Sequence, residues 1–196
     1  MRCACSHGVR GEVGTGRLVN PAAGEGFTLA ELTAVVVVVC VLAGLALPVL
    51  GPFFMRSAIT RQASEIHQKI VHARDLAMRQ RVCWRVCFVP GESRWYCHAD
   101  TDGNGRRDAG EPFVGPYVLQ RGIRFGSRAA RGPNDTEIPR DGVSLSDNRV
   151  SFSAMGTCNS GTVYLTSGSR DMALRVMPAS GVVLEYEWDD GWRAAR

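Results

Sequence analysis

The chain has 196 residues, 23 of them basic and 19 acidic, for a net charge of +4, with 45% hydrophobic and 21% charged residues. That balance excludes a globally disordered chain and lacks the basic excess of a dedicated nucleic-acid protein. Lys69 is the single lysine among the basic residues, a pattern that fits composition bias better than phosphate recognition.

Residues 1–26 are Gly-rich, with Arg2, Arg10 and Arg17 as their basic residues. In an ordinary secretory signal the small residues of the cleavage site follow the apolar region. Here Ala22, Ala23, Gly24 and Gly26 precede it. The leader is also long, which suggests a start codon placed too far upstream. From Phe27 to Met55 the one charge is Glu31, and Arg56 ends the run. As a helix rising 1.5 Å per residue, residues 32–55 would cover about 36 Å, enough to cross a bilayer core. The basic leader predicts residues 1–26 on the cytoplasmic side and the rest outside the cytoplasm. Pro48 and Pro52 each remove a helix hydrogen bond and predict a kink or local melting over 47–53. A carboxylate in lipid is costly and needs a cationic partner. Glu31 therefore reads either as a partner for an N-terminal amine or as a residue favoured by the helix N-terminus; the residues alone leave both open.

Ile59, Ala63, Ile66, Ile70, Ala73 and Ala77 then step by four and three, the stripe of an amphipathic helix predicted to end at 78–81. From Val82 the period changes to two. Alternation over 82–88 and 94–99, broken at Pro90-Gly91-Glu92-Ser93, predicts a hairpin. Further strands are expected at 113–119, 123–125, 143–145, 149–152, 162–166, 172–176 and 182–188, with a mobile loop over 127–141. The expected fold class is α+β: a long N-terminal helix, transmembrane in its first half and amphipathic in its second, packed on an all-antiparallel β domain. The segments are a leader at 1–26, a transmembrane half-helix at 27–55, an amphipathic half-helix at 56–81 and a β domain at 82–196.

Three constellations bear on chemistry. Asp100, Asp102, Asn104, Arg106 (through its carbonyl), Asp108 and Glu111 stand at the oxygen positions of a D-x-[DN]-x-[DN]-G-x5-E loop, with Gly105 at the sharp turn. This is a candidate calcium loop; a tight Asp/Asn/Gly turn is the other reading, favoured by the flanking strands and by Arg106 and Arg107. Cys87 and Cys97 flank the hairpin turn, which suggests Cys87–Cys97 and Cys83–Cys158 disulfides, with free buried thiols as the alternative. Catalysis is not expected. His7, His67, His72 and His98 form no HExxH, there is no GxSxG, and lone histidines on a polar helix are usually solvated. Arg193 and Arg196 beside Trp192 could meet DNA, but Asp189 and Asp190 oppose that, so nucleic acid is disfavoured as a partner.

Gly26-Phe27-Thr28-Leu29-Ala30-Glu31-Leu32 and the apolar run after it resemble the processing signal of type IV pilins and type II secretion pseudopilins. The resemblance implies cleavage after Gly26 by prepilin peptidase and N-methylation of Phe27. It also implies that Glu31 meets an N-terminal amine during assembly and that Pro48 is the family's kink position. The leader departs from the pattern, with distant basic residues and Glu25 beside the glycine. The hairpin, the loop ending in Ala109-Gly110-Glu111-Pro112, Phe152-Ser153-Ala154-Met155-Gly156 and the terminal hairpin around Pro178-Ala179-Ser180-Gly181 resemble minor pseudopilins of the GspH/FimT type. The implied function is that of a minor pseudopilin of a type II secretion system. It would be anchored in the inner membrane with a periplasmic domain and would assemble with other pseudopilins through N-terminal helices, with no cofactor required. The alternative is a minor pilin of a type IV pilus contributing to DNA uptake.

Overall fold

The computed structural model describes residues 28–195, with the side chains of 45–56 not among what is described. The leader, Gly26, Phe27, Cys3, Cys5, Arg196 and the side chain of Pro48 lie outside the described residues. The chain divides into two units, 1–45 and 46–196, and each is treated by itself. Helix α1 (Leu29–Gln80) contributes to both and is helical through 47–53, so of the expected kink or local melting the melting is not found. A proline removes one ladder bond, and the bonds on either side still carry the helix.

In the first unit, α1 is apolar on every side. Leu32, Val35, Val36, Val37, Val38, Val39, Val41 and Leu42 are each more than half exposed. Among the described residues no helix is long and apolar enough to cross a membrane; the expected span also takes in residues whose side chains are not described.

In the second unit, α1 buries one stripe. Ile59, Ala63, Ile66, Ile70, Ala73 and Ala77 are at most 1% exposed, as their spacing predicts. Each buried isoleucine contributes roughly 1.5–3 kcal/mol, and the alanines let backbone elements approach closely. The stripe joins one core with the inner faces of two antiparallel sheets. The first sheet has the order β3-β2-β1-β5, from β1 (Cys83–Val89), β2 (Arg94–Asp100), β3 (Phe113–Val118) and β5 (Arg149–Phe152). The second has the order β4-β6-β7-β8-β9, from β4 (Arg124–Phe125), β6 (Gly161–Thr166), β7 (Asp171–Val176), β8 (Val183–Trp188) and β9 (Trp192–Ala194). The class is therefore α+β with antiparallel sheets. Along β1 the side chains of Trp84, Val86 and Phe88 are buried, while Cys83, Arg85 and Cys87 point the other way, the period-two pattern read in the sequence.

Two strand expectations change. Residues 143–145 supply a single bridge, Val143 to Val163, and no strand. β9 was not expected, because Trp192–Ala194 is too short to show alternation. The 127–141 loop is fastened at several points, contrary to the expectation of mobility. The Ser127 hydroxyl and the Arg128 N–H donate to the buried Asp171 carboxylate at 3.0 and 2.6 Å, and the Trp192 indole N–H donates to the Arg131 carbonyl at 2.6 Å. Gly132 backs so closely on Tyr164 that a Cβ there would lie 2.1 Å from the phenol oxygen.

Arg74 on α1 organises the two glycine turns noted in the sequence. Its Nε donates to the Gly156 carbonyl at 3.0 Å. A Cβ on Gly156 would lie 2.7 Å from Met78 Sδ, and one on Gly181 would lie 2.7 Å from Arg74 Cδ. Both glycines also have positive φ, at 77° and 62°. The Phe-x-x-x-Gly segment and the terminal hairpin thus close on the same helix side chain. His67, expected to be solvated, is half-buried and its Nδ1 pairs with Glu185 Oε1 on β8.

Candidate functional site

The start of α1 is a capping box. The Thr28 hydroxyl oxygen accepts from the Glu31 N–H at 3.2 Å, and Glu31 Oε2 accepts from the Thr28 N–H and hydroxyl at 3.1 Å each. Thr-x-x-Glu is the sequence form of this device, in which the carboxylate satisfies a donor that the helix leaves unpaired. Glu31 has a local role within its own chain, one of the two readings left open above. The carboxylate lies against the backbone of the residue that follows Phe27.

The second site is the loop after β2. Asp100, at the end of β2, points to the face of the first sheet away from α1. There Arg85 Nε donates to its Oδ2 at 2.8 Å, and the Gly105 N–H adds bonds of 3.2–3.3 Å. Burial pushes the Asp100 carboxyl up, but the Arg85 guanidinium and the Gly105 N–H outweigh it and hold the group below the ordinary carboxylate range. Glu111 Oε1 accepts from the Thr101 N–H at 2.7 Å and the Thr101 hydroxyl at 3.0 Å, and its Oε2 accepts from the Asp108 N–H at 3.1 Å. These bonds hold Glu111 below the ordinary range too. Asn104 donates its amide to Asp102 and Asp108 and receives the Arg106 N–H on its carbonyl oxygen at 2.6 Å.

The fold therefore brings Asp100, Asp102 and Glu111 together, with one oxygen of each within 4.8 Å of the others. Those three carboxylates suit a hard cation. Asn104 turns its oxygen to the backbone instead, and Asp100 already faces a guanidinium. The set fits calcium in part, since Ca²⁺ takes six to eight oxygens.

The cysteine expectation is corrected. The hairpin register sets Val89 opposite Arg94, hence Cys87 opposite Tyr96 and Cys97 opposite Val86. Directly opposed residues share a face and successive ones alternate. Cys87 and Cys97 consequently lie on opposite faces of the sheet, one residue out of step. Cys158 bridges to Phe152, which opposes Trp84 and so faces away from Cys83. Cys83, Cys87, Cys97 and Cys158 are all free thiols. Burial pushes the Cys97 thiol up to about 12 and raises the other three.

Arg193 is exposed and lies 3.9 Å from Asp189, the neighbour expected to oppose contact with nucleic acid. Residues that sequence reasoning passed over are Arg74, Arg85 and Asp171. Period-two alternation put Arg85 on the outer face, but nothing in the sequence paired it with Asp100.

A helix with one buried stripe, two antiparallel sheets and glycine turns closing on the helix define an α+β protein with antiparallel sheets. The family described as Type II transport protein GspH matches residues 62–181, more than half of the chain, and the chain belongs to that family. Among solved structures it is similar to the minor pseudopilin EpsH from the Type 2 Secretion System of Vibrio cholerae. The identity is 10% and the TM-score 0.45, over 70% of this chain and 97% of that one. A crystal structure of the minor pseudopilin EPSH from the type II secretion system of Vibrio cholerae gives 10% identity and a TM-score of 0.42, over 62% of this chain and 88% of the other. No curated protein matches the sequence.

Proposed function

We propose that this type II transport protein is a minor pseudopilin, held in the inner membrane by 27–55 and then drawn into a periplasmic pseudopilus through the same helix. The observation that carries this is the apolar helix of the first unit, exposed on all sides in the isolated chain. Such a surface is covered either by lipid or by other helices. A role that uses the two in turn needs both kinds of cover from one sequence. Glu31 fits this cycle. Its capping bonds keep the carboxylate satisfied at the helix start, and cleavage after Gly26 would create an amine on Phe27, one residue before Thr28. The partners are then other pseudopilins and prepilin peptidase, with no catalytic group required.

The mature protein is expected to begin at N-methyl-Phe27. Mass spectrometry of the intact protein from its own host tests this, and an uncleaved N-terminus sinks the reading. Glu31→Ala is expected to insert but to be absent from cross-linked filaments. Cross-linking to type IV pilins, with none to secretion components, would move the protein to the pilus instead.

For the 100–111 loop, the hydrogen bonds support a turn fastened by Arg85 and by its own backbone over a calcium site. Calorimetry of the full chain in detergent micelles is expected to give no heat on adding Ca²⁺. Saturable heat that Asp102→Asn abolishes would reverse this.

A further inference from the structure

We propose that the outer face of the first sheet, where β1 and β2 meet the 100–111 loop, binds a short acidic peptide segment of a partner protein. A cavity of 690 Å³ lies there, within the range of about 300–1,000 Å³ that small ligands fill. Its walls carry Arg94, Arg106, Arg107 and Arg149, and Tyr96 and Phe113 contribute aromatic surface.

The charges are unequally satisfied. Arg94 pairs with Glu92 and Arg149 with Asp147, each at 2.7 Å, and Arg149 also donates to the Gly105 carbonyl at 2.7 Å. Arg106 and Arg107 are exposed and form no ion pair among the described residues. The Arg107 guanidinium lies 3.8 Å over the Phe113 ring, a contact that seats it on the wall and uses none of its N–H donors on a carboxylate. The Tyr96 and Phe113 rings lie 5.6 Å apart, a surface for an apolar side chain. Two guanidiniums without carboxylate partners beside such a surface suit a carboxylate that neighbours an apolar residue, which arginine recognises with paired hydrogen bonds.

The surroundings decide against a nucleic acid. Glu92 and Asp147 sit beside the basic wall, and Asp102 and Asp108 are exposed in the same loop. A continuous phosphate backbone leaving the cavity would meet those carboxylates, whereas a peptide whose acidic residues alternate with apolar ones can set a carboxylate on the guanidiniums and apolar side chains elsewhere. The site does not depend on how the N-terminal helix assembles.

The test is fluorescence anisotropy with the full chain in detergent micelles and a labelled peptide alternating Glu and Phe. The expected result is salt-sensitive binding that Arg106→Ser with Arg107→Ser weakens at least tenfold, while circular dichroism and melting stay unchanged. Arg79→Ser, an exposed arginine elsewhere, should leave the affinity as it was. Arg107→Lys, which keeps the charge and removes the paired hydrogen bonds, should also weaken binding and serves should the double variant lose its fold. Equal binding of the same peptide with Gln for Glu overturns the proposal, as does undiminished binding by the variants. Tighter binding of a single-stranded oligonucleotide of equal charge overturns it as well.

Discussion

The two parts of α1 solve opposite problems with one kind of backbone. Over 29–44 the helix shows valine and leucine in every direction, and its own chain leaves them exposed. Over 57–80 a stripe of isoleucine and alanine is hidden together with Gln62, and the exposed residues are mostly polar, Val71 and Met78 excepted. The first pattern needs an external partner, and the second is satisfied within its own domain. Hydrophobicity alone therefore does not say what a helix is for; its distribution around the axis does.

The comparison breaks most sharply at the core. Ile66→Ala is expected to destabilise the domain by about 2–5 kcal/mol in a denaturant titration followed by tryptophan fluorescence. Val38→Ala, in the exposed part, should shift the same transition by less than about 0.5 kcal/mol. Equal effects from the two would erase the distinction.

Next in size is the buried carboxylate that ties down 127–141. Burial pushes the Asp171 carboxyl up, but the Thr166 and Ser127 hydroxyls and the Arg128 N–H groups outweigh it and hold the group below its ordinary range. A depressed carboxylate contributes stability above its unfolded value, about 3.9, and loses it as pH falls through the folded value. Asp100, held down by Arg85, acts in the same direction. The melting temperature should therefore be flat from neutral pH to about 4 and fall below that. Asp171→Asn should cost about 1–3 kcal/mol at pH 7 and flatten the acid limb.

Gly156→Ala is expected to cost about 1–3 kcal/mol, from its positive φ and from the crowding against Met78. The same substitution at Gly91, where an added Cβ meets nothing within 4 Å, should change little. The smallest effect concerns the thiols: reductant should leave the melting temperature where it is, and mass spectrometry under denaturing, non-reducing conditions should count Cys83, Cys87, Cys97 and Cys158 as free.

Much of the fold was legible because its signals are periodic. The helical stripe, its end near residue 80, the hairpin and six further strands follow from spacing and turn residues. What stayed hidden depends on register and on distant partners. The hairpin turn was centred correctly, yet a half-residue error in symmetry sufficed to pair two cysteines that the pleat keeps apart. Arg74 meeting Gly156 and Gly181, and Arg85 meeting Asp100, are contacts that no local pattern encodes. The Thr28–Glu31 box is legible as Thr-x-x-Glu, a local spacing that needs no distant partner.

The placement of Cys87 and Cys97 on opposite faces also gives the hairpin a built-in clock. One thiol looks into the arginine-lined cavity and the other into the core, so a thiol-reactive probe reaches them by different events. Modification of Cys87 times access to the cavity, and modification of Cys97 times the separation of the first sheet from α1. A partner that fills the cavity would slow the first reaction and leave the second untouched, so occupancy and unfolding could be read from one strand pair in one experiment.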